Sequence, residues 1–321
     1  MPPPAALVQT ARCLWHHQWL VLMGGLGPAD AAGRYRRPPG AFTALPPLPE
    51  SAATAGGHVL IVGRSCPWAH RAWLVWSLRG LVGSIELVVV EPDPRAGRWR
   101  FQEPFEGCDT LAALYRRSGA AAGARATVPA LWSRAEQKLL VSESARLIEL
   151  LDRWPAGAGA PRLHPEPLRT EIDAWRHRLQ TAVNDGVYRC GFARNQASYD
   201  EAEAELWDTL EAVERELGAR GPWLCGAEPT LADVVLFPSL IRLELVYAPL
   251  FGCGRRPLWQ LPALWDWRSR FFQLPGVAAC CFPAAWCADY FGALFPLHPS
   301  GIVPAGPDLA TLVTGDPPGD R

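Results

Sequence analysis

The first regular signal along the chain is Val59-Leu60-Ile61-Val62, a short run rich in β-branched residues, which predicts a buried strand. From Pro67 to about Arg79 the period changes. Ala69, Trp73 and Trp76 recur at i, i+4 and i+7, and Gly80 stands where a helix would stop. Ile85 to Val90 reads as a second strand. A strand, helix and strand within about 30 residues form a βαβ unit, so these two strands should be parallel. Residues 92–126 lack a clear period, apart from a short helix suggested by Leu111, Leu114 and Tyr115. Thr127 to Trp132 and Lys138 to Val141 predict two strands joined by a polar turn, and Ser144 to Leu151 a helix. Pro129 fits a strand only at an edge or with a cis bond.

Beyond Trp154 the pattern becomes wholly helical. Pro155, Gly157, Gly159, Pro161, Pro165 and Pro167 mark a linker over 154–167. Helices are expected over Leu168–Val183, Tyr199–Leu217, Leu231–Val246 and Leu261–Phe272, with Thr230 and Asp233 as a capping box in which Asp stands for the usual Glu or Gln. At the other end, residues 1–56 show little periodicity and many Pro and Gly, including Pro38-Pro39-Gly40 and Pro46-Pro47-Leu48-Pro49. They read as an extended arm on the surface. The fold class is therefore an α/β domain over 57–153 followed by an all-helical domain over 168–295, with a C-terminal extension over 296–321.

Composition narrows the function classes. With 49% hydrophobic and 20% charged residues, the 321-residue chain can bury a sizeable core. A net charge of −1 argues against nucleic acid as a main partner. No uninterrupted apolar run reaches the length of a membrane span. Arg12, then Trp19 to Met23, then Ala29-Asp30-Ala31 imitates a signal peptide, but the apolar run is short for one. Nine cysteines, an odd number at irregular spacing, disfavour a secreted disulfide framework, so a reducing cytoplasm is the expected location.

The sharpest chemistry is Cys66-Pro67-Trp68-Ala69-His70-Arg71. Cys66 ends the strand turn and Pro67 suits the first helical position. A thiolate there faces free N–H groups and the positive end of the helix dipole. Such cysteines can fall from about 8.5 to roughly 3.5–7.5 in pKa. The place three residues on, a second cysteine in redox Cys-x-x-Cys motifs, is Ala69. A mixed disulfide on Cys66 would then need an outside thiol such as glutathione to resolve it. His70, one turn below, reads mainly as a packing residue, and no cysteine or histidine set has zinc spacing. Cys280, Cys281 and Cys287 lie among apolar residues and read as buried and inert.

These residues resemble the Xi class of glutathione transferases, the glutathionyl-hydroquinone reductases. Cys66 to Arg71 matches the class signature, Arg125 to Val128 with Pro129 its cis-proline segment, and Glu143-Ser144 its glutamyl-binding pair. Asn184 to Ala193, Arg242 to Tyr247 and the tail His298 to Pro307 match further blocks, and Gly33-Arg34-Tyr35 with Arg37-Pro38 matches its arm. The likeness spans about residues 33–308. It departs from the class where Phe291 follows Tyr290, around Gly107-Cys108 and in the Ala-rich loop at 119–126.

The resemblance implies a thioredoxin-like domain plus a helical domain, a homodimer, glutathione as co-substrate without a metal, and reduction of glutathionyl-hydroquinones. It implies Cys66 as nucleophile and Tyr188 as proton donor to the leaving phenolate. Tyr247 and Tyr290 would hydrogen-bond near the thiolate and lower its pKa. Trp99, Arg125, Ala126, Thr127, Val128, Glu143 and Ser144 would bind glutathione. Two other readings stay open: an Omega-like thioltransferase or dehydroascorbate reductase, which would not need Tyr188, and a non-enzymatic protein that keeps a glutathione site.

Overall fold

The computed structural model describes residues 3–51, 57–93 and 98–314. Residues 1–2 and 52–56 of the expected arm, 94–97 within the irregular region, and 315–321 of the expected C-terminal extension lie outside these.

The N-terminal half is built around β1 (His58–Gly63), whose residues from Val59 onward are all buried. It pairs in parallel with β2 (Ile85–Asp93), His58 opposite Ile85 and Gly63 opposite Val90, and antiparallel with β5 (Ala130–Ser133). The crossover is α2 (Pro67–Leu78). The remaining elements are β3 (Arg98–Phe105), β4 (Cys108–Thr110), α3 (Leu111–Arg117), β6 (Lys138–Val141) and α4 (Ser144–Arg153). The sheet order is β4-β3-β2-β1-β5-β6. The Val128–Pro129 peptide is cis and Pro129 stands just before β5 rather than inside it.

Two expectations need correction. Residues 92–126 are not mostly irregular, because β3 and β4 extend the sheet by a hairpin. Its turn, Glu106-Gly107, has φ of 50° and 73°, the left-handed pair that closes tight hairpins. Pro104 and the mostly exposed residues of β3 hid the strand from the hydrophobic pattern. The N-terminal arm is not extended throughout either. Ala5–Leu26 form a 22-residue helix, α1, of which only Met23 is buried. Its apolar residues lie on every side of the helix, so no 3.6 period appears. The extended part begins after Gly27, where Pro28 follows.

The helical half comprises α5 (Arg169–Leu179), continued by a π-turn at Gln180–Asn184, then α6 (Gly186–Gly191), α7 (Gln196–Arg220) and α8 (Leu231–Leu240). A second π-turn at Leu243–Tyr247 leads into α9 (Ala248–Phe251), followed by α10 (Pro262–Phe272), α11 (Pro283–Ala293) and α12 (Leu309–Val313). The capping box at Thr230 and Asp233 forms. The run Leu231–Phe251 is long and apolar enough to cross a membrane, yet 78% of its apolar window is buried inside the protein.

The linker is pinned to both halves. Arg79 donates to the carbonyls of Trp154 and Pro161, the Asp152 carboxylate accepts from the Leu163 amide, and the Leu163 carbonyl accepts from Leu231 N–H at the start of α8. Both halves therefore hold fixed positions around the C-terminal end of β1.

Candidate active site

Cys66 caps the N-terminus of α2 with Pro67 as first helical residue, as the sequence predicts. Its carbonyl accepts the His70 amide at 3.0 Å, which closes the first turn. The sulfur donates to the Val128 carbonyl at 3.4 Å, across the cis-proline segment. The residue is partly exposed at the bottom of a cleft. Burial of the sulfur pushes the thiol up from its ordinary value. The Ala69 and Trp68 amides, then the Arg242 and Arg37 guanidinium groups, act against that rise. The helix N-terminus thus works in the expected direction, but burial outweighs it.

The cleft is lined on the α/β side by Trp99, Arg125, Thr127, Val128, Glu143 and Ser144. Gly63 is needed to seat the tryptophan, since a Cβ there would lie 2.6 Å from the Trp99 ring. Glu143 stands at the N-cap of α4 and Ser144 is the first residue of that helix. The buried Ser144 hydroxyl oxygen has no hydrogen-bond partner among the described residues. An orphaned hydroxyl and free amides at a helix start, beside a carboxylate, fit the charged amino-acid end of a γ-glutamyl peptide. Ala126 is partly buried and does not line the cleft. The Thr127 carbonyl is already taken by the Tyr115 hydroxyl at 2.7 Å.

Three tyrosines of the helical half cluster next to the cleft, packed on its residue Trp68. Tyr188, on α6, and Tyr290, on α11, share a short hydroxyl–hydroxyl contact, and Tyr247 lies 3.2 Å from Tyr290 through the same atoms. Aromatic neighbours surround them: the Tyr188 ring stacks on Trp68 at 6.0 Å and packs against Phe192 and Phe251. Burial holds all three phenols above their ordinary value, so they stay protonated and able to donate. They are close enough to Cys66 for a thiolate there to disfavour the phenolate of Tyr188 and Tyr247. The Tyr290 hydroxyl bonds those of Tyr188 and Tyr247, and the groups that oppose the Cys66 rise include the Ala69 and Trp68 amides and the Arg242 and Arg37 guanidinium groups.

Sequence reasoning gave no role to three cleft residues. Tyr35, Arg37 and Trp68 all line it. The Arg37 guanidinium lies 3.5 Å from the Trp68 ring centroid and 3.8 Å from both the Glu143 and the Asp185 carboxylate. The extended stretch that carries Arg37 is tied down by the Ser142 amide, which donates to the Phe42 carbonyl at 2.8 Å. A signal for Trp68 was available: it sits in the first turn of α2, next to the cysteine whose thiol opens into the cleft.

His70 is excluded as a base toward Cys66. Its Nδ1 accepts from Arg242 at 2.9 Å, and burial plus that cation hold the imidazole well below its ordinary value and neutral. Its remaining N–H faces the Cys281 sulfur at 3.9 Å. All nine cysteines are free. Cys280 is buried as expected, but Cys281 and Cys287 are only partly so. Desolvation pushes the thiols of Cys280 and Cys281 up to about 12.

Comparison with known proteins agrees with this layout. The N-terminal domain model of glutathione S-transferase matches residues 65–154 and the C-terminal domain model matches residues 196–270. Glutathionyl-hydroquinone reductase PcpF of Sphingobium chlorophenolicum is 33% identical over 261 residues, 78% of this chain and 83% of that protein. The chain belongs to the glutathione transferase family. Glutathionyl-hydroquinone reductase YqjG of Escherichia coli K12 is 30% identical over 313 residues, 92% of this chain and 93% of its own length. Its glutathione-bound structure superposes with a TM-score of 0.72 over 78% of this chain and 86% of that one, at 32% identity. The Xi glutathione transferase of Phanerochaete chrysosporium superposes with a TM-score of 0.79 over 87% and 94%, at 28% identity. The expected pair of a thioredoxin-like and a helical domain is therefore the family's architecture.

Proposed function

We propose that this protein reduces glutathionyl-hydroquinones with glutathione through a mixed disulfide on Cys66. The observation that carries the reading is one cysteine in a cleft lined by Val128, Glu143 and Ser144, with a cluster of three bonded phenols whose Tyr188 stacks on Trp68 of the same cleft. In the first step the Cys66 thiolate attacks the sulfur of the glutathionyl thioether. An S–S bond forms and the aryl C–S bond breaks. Its electron pair goes to the ring, which takes up one proton supplied through Tyr188. In the second step a glutathione thiolate attacks the mixed disulfide, releases glutathione disulfide and restores Cys66. Two thiol exchanges with a covalent intermediate predict ping-pong kinetics.

Glutathione would lie with its γ-glutamyl end against Glu143 and Ser144 and its cysteinyl peptide along Val128, with Trp99 and Arg125 beside it. We read the protein as a homodimer, as the family resemblance implies, and place it in a reducing compartment on its nine irregularly spaced cysteines. An Omega-like thioltransferase shares Cys66, but it gives no reason for a proton-donating tyrosine cluster over the sulfur. Turnover of a panel of glutathionylated hydroquinones, with products identified by mass, tests the reading against a small glutathione mixed disulfide. Free hydroquinone plus glutathione disulfide is expected. Turnover of the mixed disulfide alone would transfer the protein to the thioltransferase reading.

A further inference from the structure

A buried cation is costly unless something neutralises it. Arg268 and Arg242 are both completely buried. Arg268 has the Glu244 carboxylate at 2.7 Å. Arg242 has no carboxylate within 4 Å among the described residues. One nitrogen, Nη1, donates to His70 Nδ1 and to the Pro238 carbonyl, both at 2.9 Å, and the guanidinium lies 4.0 Å from the Trp286 ring centroid. Nε and Nη2 make no hydrogen bond among the described residues. The titratable groups around it come from several elements: Cys66 and His70 with α2, Cys281 before α11, Tyr247 on the second π-turn and Tyr290 on α11. His70 is held neutral, so it adds no competing charge. The phenols remain protonated, which leaves the thiol of Cys66 as the group that becomes anionic during the reaction.

We propose that Arg242 is a positioning residue whose buried, carboxylate-free guanidinium serves as the standing counter-charge for the Cys66 thiolate. It reaches the first turn of α2 through His70, whose amide donates to the Cys66 carbonyl at 3.0 Å: it fixes His70 in one tautomer, rests on Trp286, and leaves its net positive charge for the sulfur one turn away. Of the two arginines acting on the thiol, Arg37 is partly exposed and shared between two carboxylates, so its field is the more screened. The proposal rests on the reading of Cys66 as nucleophile, yet its test measures thiol ionisation rather than turnover. The two can therefore fail separately.

The test is the pH dependence of Cys66 alkylation by iodoacetamide, followed by intact mass. It compares the unmodified protein with Arg242→Met, Arg242→Gln and Arg242→Lys. Loss of the charge in the Met and Gln variants should move the inflection up by about one pH unit, the size expected for a nearby opposite charge. The Lys variant should restore most of it. An unmoved inflection in the Met or Gln variant overturns the proposal, as does a Lys variant that shifts as far as Met. The unmodified protein supplies an arm independent of whether variants fold. Between low salt and 1 M salt, where the Debye length is about 3 Å, a buried counter-charge should leave the inflection nearly fixed. An upward move of about one pH unit in high salt would assign the effect to exposed charge and overturn the proposal.

Discussion

On one side of Cys66 lies a cleft lined by Arg37, Arg125, the Glu143 carboxylate and Ser144, whose hydroxyl is orphaned among the described residues. On the other side stand three phenols that bond one another inside an aromatic nest. The α/β wall offers many directional partners and suits a peptide that brings its own charges. The helical wall offers protons and π-surface and suits a flat, apolar aryl group. The difference teaches that, on the proposed reading, recognition of glutathione and handling of the departing ring fall to separate domains that meet at one sulfur. Substitutions on the two walls should therefore fail in different ways.

The largest effect is expected at the sulfur itself, where both walls lose their purpose. Cys66→Ser should abolish turnover with every glutathionylated substrate and keep the melting temperature, because an alcohol is not ionised at neutral pH. More than about a tenth of the activity remaining would remove Cys66 from covalent catalysis.

Next comes the helical wall. Tyr188→Phe removes one hydroxyl and should slow cleavage of a glutathionyl-hydroquinone by roughly 10²–10⁴-fold, the worth of a positioned general acid. Reduction of a small glutathione mixed disulfide should change far less, since a thiolate leaves without such help. Equal losses on both substrates would merge the two walls into one.

The α/β wall should respond in affinity. Glu143→Gln keeps the shape at the start of α4 and removes a charge. The loss of about 1.5–3 kcal/mol typical of a hydrogen bond to a charged group predicts a KM for glutathione raised about tenfold to a hundredfold, with kcat little changed. A fall in kcat alone would place Glu143 in the chemistry instead. Gly63→Ala forces a Cβ to within 2.6 Å of the Trp99 ring, so the ring must move. The cost of such overpacking is about 1–3 kcal/mol. It should appear as a lower melting temperature and weaker glutathione binding, checked by calorimetry.

Much of this layout was legible in the sequence where local chemistry and tertiary structure agree. The Val59–Val62 run, Pro67 at the first helical position and the Thr230–Asp233 box each form as read, because each is fixed by neighbours along the chain. The β3–β4 hairpin was not read, because a strand next to the sheet edge with Pro104 and exposed charges has no burial pattern to display. Helix α1 escaped for a related reason: apolar residues spread around a helix leave no stripe. The cleft residues Tyr35, Arg37 and Trp68 and the counter-charge at Arg242 depend on contacts between segments far apart in sequence, and no spacing encodes those. The thiol's electrostatics were half legible. Its place at a helix start was evident, but the burial that opposes it arises from tertiary packing that no spacing displays.

The claim that both walls serve a single sulfur is tested most directly by one turnover without free glutathione. Stoichiometric protein and a glutathionyl-hydroquinone should yield one released hydroquinone and one glutathione added to Cys66, both read by mass, with the adduct removed on later addition of glutathione. Hydroquinone released without an adduct on Cys66, or Cys66 recovered in a disulfide with another cysteine of the chain, would contradict the account.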